Sequence, residues 1–209
     1  MTLDALSVLR LSPVMPVIVI RDAARAVDLA HALVAGGIRA LEVTLRTDAA
    51  LAAIRAIRDA VPQAVVGAGT VCTPDQLAQA VDAGAAFAIS PGLPSRLAAA
   101  GRSCGIPLIP GVATPTEAME AQDQGYGVLK LFPAEAVGGK ALLKAIGGPL
   151  PHLTFCPTGG IDAASAPGYL ALPNVAAVGG SWLTPDAAVA AGDWAKITAL
   201  ASEASALGG

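Results

Sequence analysis

The sequence predicts an α/β fold, a (β/α)8 TIM barrel built as a single domain over residues 1–209. Three observations lead there: short β-branched apolar runs recur about every 23 residues, an alanine-rich stretch with a charged stripe follows each run, and no linker divides the chain. The runs begin near Pro16, Ala40, Val65, Phe87, Pro107, Gly127, His152 and Val175. Eight strand and helix units are the number that closes a parallel ring. A doubly wound open sheet is the alternative arrangement of the same elements.

Each element has its own signal. The first run, Pro16-Val17-Ile18-Val19-Ile20, is continuously apolar, as a parallel strand covered on both faces requires. Asp22 precedes a helical stretch over residues 23–35, Thr47-Asp48 precedes residues 49–60, and Thr73-Pro74 opens residues 75–82. Thr114-Pro115 and Asp162 are similar openings, and Gly36-Gly37, Gly84 and Gly125 are stops. A last helical stretch covers residues 195–207.

Composition narrows the function. The chain is 54% hydrophobic and only 14% charged, against an average near 25%, so many residues are buried on both sides of their elements. A net charge of -3, with four lysines and no basic cluster, argues against nucleic acid as a partner. The mean hydropathy of +0.62 raises a membrane reading. Residues 163–185 carry no charge, but Pro167, Gly168, Pro173, Asn174, Gly179 and Gly180 interrupt them, so no membrane span is expected. The opening residues lack a basic leader, and the odd, scattered Cys72, Cys104 and Cys156 read as reduced thiols. The expectation is a cytoplasmic protein. His31 and His152 have no spacing to each other or to a carboxylate that suits a metal, so no metal is expected.

In a parallel barrel the chemistry is built where strands end, so polar residues inside strands are the informative ones. In Leu41-Glu42-Val43-Thr44-Leu45-Arg46, alternation puts Glu42, Thr44 and Arg46 on one face and the apolar set on the other. The apolar face packs under helices, which aims Glu42 and Arg46 inward. Lys130 alone among the lysines sits mid-strand, sharing a face with Val128 and Phe132. An amine confined away from water is favoured in its neutral, nucleophilic form, the starting point for Schiff-base chemistry. A buried pair of Lys130 with Glu42 that serves structure alone is the other reading of the same residues.

Thr158-Gly159-Gly160 and Gly179-Gly180-Ser181 follow the last two strands. Paired glycines there let backbone amides approach an anion, and these loops are the habitual phosphate site of a barrel, so a phosphorylated substrate is expected. Gly67-Ala68-Gly69-Thr70 lacks the third glycine and the later acidic residue of a dinucleotide fingerprint, which is therefore rejected. Thr70 ends the third strand and can offer a hydroxyl.

Five ordered motifs together resemble one family: Leu41-Glu42-Val43-Thr44-Leu45-Arg46-Thr47, Gly67-Ala68-Gly69-Thr70-Val71, Phe87-Ala88-Ile89-Ser90-Pro91-Gly92, Leu129-Lys130-Leu131-Phe132-Pro133-Ala134-Glu135 and Pro157-Thr158-Gly159-Gly160-Ile161. They resemble the family of 2-keto-3-deoxy-6-phosphogluconate (KDPG) and 4-hydroxy-2-oxoglutarate (KHG) aldolases. The resemblance implies a cofactor-free class I aldolase of the Entner-Doudoroff pathway, a homotrimer that joins pyruvate to lysine as a Schiff base. It implies Lys130 as the Schiff-base lysine and Glu42 as general acid and base. Arg46, Thr70, Pro91 and Phe132 would surround the pyruvyl end, and Gly159, Gly160, Gly180 and Ser181 would cradle the phosphate, with Arg21 adding charge. A hydroxyl at Thr158 favours the gluconate over the galactonate epimer. The alternatives are preference for 4-hydroxy-2-oxoglutarate or the phosphogalactonate epimer, and a non-catalytic phosphosugar-binding barrel.

Overall fold

The computed structural model describes residues 3–208, which alternate strands with helices as the spacing requires. The order is α1 (Ala5–Leu9), β1 (Val14–Ile18), α2 (Ala26–Ala35), β2 (Ala40–Thr44), α3 (Ala50–Ala60), β3 (Val65–Gly69), α4 (Pro74–Asp82), β4 (Ala88–Ile89) and α5 (Ser95–Gly101). There follow β5 (Leu108–Ile109), β6 (Gly111–Val112), α6 (Pro115–Asp123), β7 (Val128–Leu131), α7 (Gly139–Gly147), β8 (Thr154–Pro157), α8 (Ala166–Leu170), β9 (Val178–Gly180), α9 (Asp186–Ala191) and α10 (Trp194–Ser205). All pairings between these strands are parallel.

The ladder is not one continuous ring of eight. It forms a six-stranded sheet, in the order β5-β4-β3-β2-β1-β9, and a three-stranded sheet, β6-β7-β8. The strand expected from Pro107 is the one that divides, because Pro110 has no N–H to give a neighbour while its carbonyl accepts from the Lys130 amide at 2.8 Å. Leu108 and Ile109 pair with β4, and Gly111 and Val112 with β7. Between β8 and β9 stand two isolated parallel bridges, Phe155 to Val175 and Thr158 to Gly179.

Local chemistry explains the helix entries. Thr73 and Thr114 accept hydrogen bonds from the Gln76 and Glu117 amides, each with proline as the next residue, and Glu117 closes a capping box. Asp22 caps a 3-10 turn, Ala23–Arg25, before α2 begins. Thr47-Asp48 does not cap α3. The Thr47 hydroxyl instead donates to the Ile20 carbonyl, tying the loop after β2 to the end of β1. Helix α1 is too short, at five residues, to leave a periodic signal in the sequence; Asp4 caps it by accepting from the Ser7 amide at 2.7 Å.

Two apolar layers result. One lies between strands and helices and includes Leu29, Leu33, Leu41, Val43 and Ile54. The other gathers Met15, Ala40, Phe87, Ile89, Ile109 and Cys156, and α1 packs Val8 and Leu9 against it near the starts of β1 and β2. Helix α10 docks on α2, where the Thr198 hydroxyl donates to the Ala32 carbonyl at 3.0 Å. Among the described residues no helix is long and apolar enough to cross a membrane.

Candidate active site

Two residues after Ala40, which packs in the inner apolar layer, the same alternation brings Glu42 to the interior from the middle of β2. Lys130 comes from β7, between Gly111 on one side and Cys156 on the other. Though their strands belong to different sheets, Lys130 Nζ donates to Glu42 Oε1 at 3.3 Å, with 6% and 1% of the side chains exposed. The expected pair is therefore present. Lys130 Nζ also lies 5.2 Å from the centroid of the Phe132 ring, an electrostatically attractive position for a cation.

Two neighbours that sequence reasoning did not single out shape this pair. Gly69, on β3, has no Cβ because one would collide with the Glu42 carboxylate. Its place in the rejected dinucleotide motif is explained by this close approach. Cys156 is wholly buried beside the pair, and burial pushes its thiol up to about 12, with Lys130 opposing and Glu42 adding to the shift. Such a thiol stays neutral. No spacing rule marked it, because only strand pairing sets it next to Lys130.

Thr44 is buried and turned to structure, its hydroxyl donating to the Ile18 carbonyl at 2.8 Å. Arg46 and Thr70 come together beyond the ends of β2 and β3, with Arg46 Nε donating to Thr70 Oγ1 at 3.1 Å. Thr70 has a φ of 57°, an uncommon backbone for a β-branched residue. Strain of this kind persists where the surroundings hold it, and clusters at functional sites.

A cavity of about 280 Å³ is lined by Val17, Arg46, Phe132, Thr158, Gly159, Gly160, Gly180 and Ser181. Its wall adjoins the buried pair, since Val17 is the strand partner of Glu42 and Phe132 lies under the Lys130 ammonium. Gly159 and Gly160, with φ of 106° and 79°, take backbone conformations that side chains rarely adopt. Pro91 lines a neighbouring cavity of about 340 Å³ that shares Phe132, and buried Ser90 shapes its loop by donating to the Gly92 carbonyl at 2.7 Å.

Arg21 is not brought to the glycine loops. It is exposed, pairs with exposed Asp186 at 3.6 Å, and lines a separate cavity of about 310 Å³ with Arg25, Leu29 and Val189. Val19 walls both that cavity and the glycine-lined one. His31 and His152 lie on the surface, and among the described residues no group of three His, Cys, Asp or Glu could hold a metal ion.

Residues 6–200 match the family model described as KDPG and KHG aldolase. The chain is 58% identical to a 2-dehydro-3-deoxy-phosphogluconate aldolase of Pseudoalteromonas atlantica, over 92% of this chain and 89% of that one. It is 55% identical to the KHG/KDPG aldolase of Escherichia coli, over 96% and 94%. The KDPG aldolase of Legionella pneumophila, solved with pyruvate captured as a covalent carbinolamine intermediate, superposes with a TM-score of 0.94 at 50% identity, covering 96% of this chain and 97% of that one. On this agreement of sequence and fold, the chain belongs to the KDPG and KHG aldolase family.

Proposed function

We propose that this chain is a class I aldolase that cleaves KDPG reversibly to pyruvate and glyceraldehyde 3-phosphate, the cleavage step of the Entner-Doudoroff pathway. The observation that carries the reading is the buried Lys130 and Glu42 pair beside a glycine-lined cavity. Glu42 is within reach of the ammonium proton, so the carboxylate is placed to free the amine. The neutral amine attacks the second carbon of the substrate, and Glu42 gives its proton back to the carbinolamine hydroxyl, which leaves as water; a cationic iminium and a carboxylate remain.

Glu42, acting through a water, then takes the proton of the fourth-carbon hydroxyl. The bond between the third and fourth carbons breaks, its electron pair passes into the iminium to form an enamine, and glyceraldehyde 3-phosphate leaves. Glu42 returns its proton to the third carbon, and hydrolysis releases pyruvate and the free amine. One carboxylate serves both steps because each leaves it in the state that the next requires. The scheme calls on no cofactor or metal.

Around this centre, Arg46 and Thr70 hold the pyruvyl carboxylate, with Pro91 and Phe132 enclosing the same end. Gly159, Gly160, Gly180 and Ser181 receive the phosphate, and Thr158 favours the gluconate epimer through its hydroxyl. Arg21 joins them only by leaving Asp186. We read the two sheets as one closed (β/α)8 barrel and one domain, supported by the covalent link through Pro110 and the bridges between β8 and β9. A cytoplasmic homotrimer is the assembly proposed from the family resemblance.

Borohydride reduction with and without pyruvate, followed by peptide mass spectrometry, tests the chemistry. A pyruvate-dependent adduct on Lys130, together with pyruvate release from KDPG in a lactate dehydrogenase-coupled assay, is expected. An unmodified Lys130 under conditions that trap a known imine enzyme would overturn the reading.

A further inference from the structure

The loop that carries Gly159 and Gly160 rests on the turn that leaves β7. The Ala134 amide donates to the Thr158 carbonyl at 2.8 Å, and the Glu135 amide to the Gly159 carbonyl at 3.1 Å. Gly160 lies so near the Glu135 side chain that a Cβ on it would meet Glu135 Cβ and Cγ at 2.8 Å. The Glu135 carboxylate, beside Gly160, reaches α8, where the hydroxyl of Tyr169 donates to it. Tyr169 has none of its surface exposed, and the Lys140 ammonium lies 5.5 Å from its ring centroid. Burial first, then the Glu135 carboxylate, raises the Tyr169 pKa, so the phenol remains a donor across the working pH range.

We propose that Glu135 and Tyr169 are positioning residues for the phosphate end of the substrate. The loop enters from β8 and exits toward α8, and the bridge fastens its exit side to the segment that also bears Lys130. The height of the Gly159-Gly160 backbone above the cavity is thus set relative to the amine five residues before Glu135. A phosphate held by backbone amides is sensitive to that height, whereas pyruvate, which occupies only the other end, is not. The proposal rests on the reading of this loop as the phosphate subsite.

The test compares wild type, Tyr169→Phe, Glu135→Ala and Glu135→Gln on KDPG and on 2-keto-3-deoxygluconate, which lacks the phosphate. Tyr169→Phe and Glu135→Ala are expected to raise the KM for KDPG about tenfold, the value of one hydrogen bond to a charged group. The kcat, the KM for the unphosphorylated substrate and borohydride trapping of pyruvate should stay near wild type. Glu135→Gln keeps an acceptor for the phenol and should restore most of the KDPG affinity. A KM for KDPG that does not move, or a change of equal size on both substrates, overturns the bridge while leaving the phosphate subsite standing. A wild-type enzyme that does not distinguish the two substrates overturns the subsite, and the bridge falls with it.

Discussion

Lys130 Nζ and Glu42 Oε1 meet at 3.3 Å although the residues are 88 positions apart in the chain, and both side chains are out of water. Removing one member of such a pair strands the other, at a cost of about 3–5 kcal/mol. Lys130→Met is therefore expected to lose that much stability in urea unfolding as well as the pyruvate adduct. Adding Glu42→Gln to Lys130→Met should recover most of the stability and none of the activity. Glu42→Gln alone should form the pyruvate adduct more slowly than wild type, while kcat falls about 10²–10⁴-fold. Single variants as stable as wild type would mean that the pair is not coupled in folding.

Gly69 tests the placement of Glu42 without touching its chemistry. A Cβ there overlaps the carboxylate, so Gly69→Ala should push Glu42 off the Lys130 amine. A displacement near 1 Å costs about a hundredfold in rate. Steady-state kcat on KDPG should show that loss with a folded circular dichroism spectrum, and an unaltered kcat would contradict the steric account.

Thr70 holds a left-handed backbone while accepting from Arg46. Glycine takes that backbone without strain, which for other residues costs about 1–2 kcal/mol and roughly offsets the extra chain entropy glycine loses on folding. Thr70→Gly is thus expected to melt within a few degrees of wild type. Pyruvate trapping should require about tenfold more pyruvate, because Arg46 loses its orienting partner. A variant that binds pyruvate normally would remove Thr70 from the carboxylate site.

Arg21 and Asp186 form an exposed pair, worth little to stability and open to exchange. Asp186→Asn should free Arg21 for the phosphate and lower the KM for KDPG a few-fold at low ionic strength. The gain should vanish at high salt, where exposed charges are screened. An unchanged KM at low salt would place Arg21 outside the phosphate site.

Cys156 sets an alkaline limit. Its thiol titrates at about 12 when folded against an ordinary 9.0, so between those values the folded state keeps a proton that the unfolded state has lost. Stability falls as pH rises through that window and is fully present below it. Buried Tyr126 and Tyr169, both also raised, push in the same direction from pH 10 upward. Urea unfolding between pH 8 and pH 10.5 should show the decline, and Cys156→Ala should flatten it. Iodoacetamide at pH 8 should modify exposed Cys72 and spare Cys156.

Much of this protein was legible in its residues alone. The spacing of apolar runs placed eight strand positions because burial on both faces demands continuous apolar sequence, and proline and threonine marked the entries to α4 and α6 because their caps are local. Glu42 and Lys130 stood out because a charge inside an apolar strand needs a reason. Only the tertiary structure decided what depends on elements distant in sequence. It divided the fifth strand at Pro110, laid α1 on the inner layer, set Cys156 beside Lys130, turned Thr44 to the Ile18 carbonyl and drew Arg21 to Asp186. Periodicity states which face a residue occupies, whereas the partner it meets there is chosen by strand register and loop packing, which no local window contains.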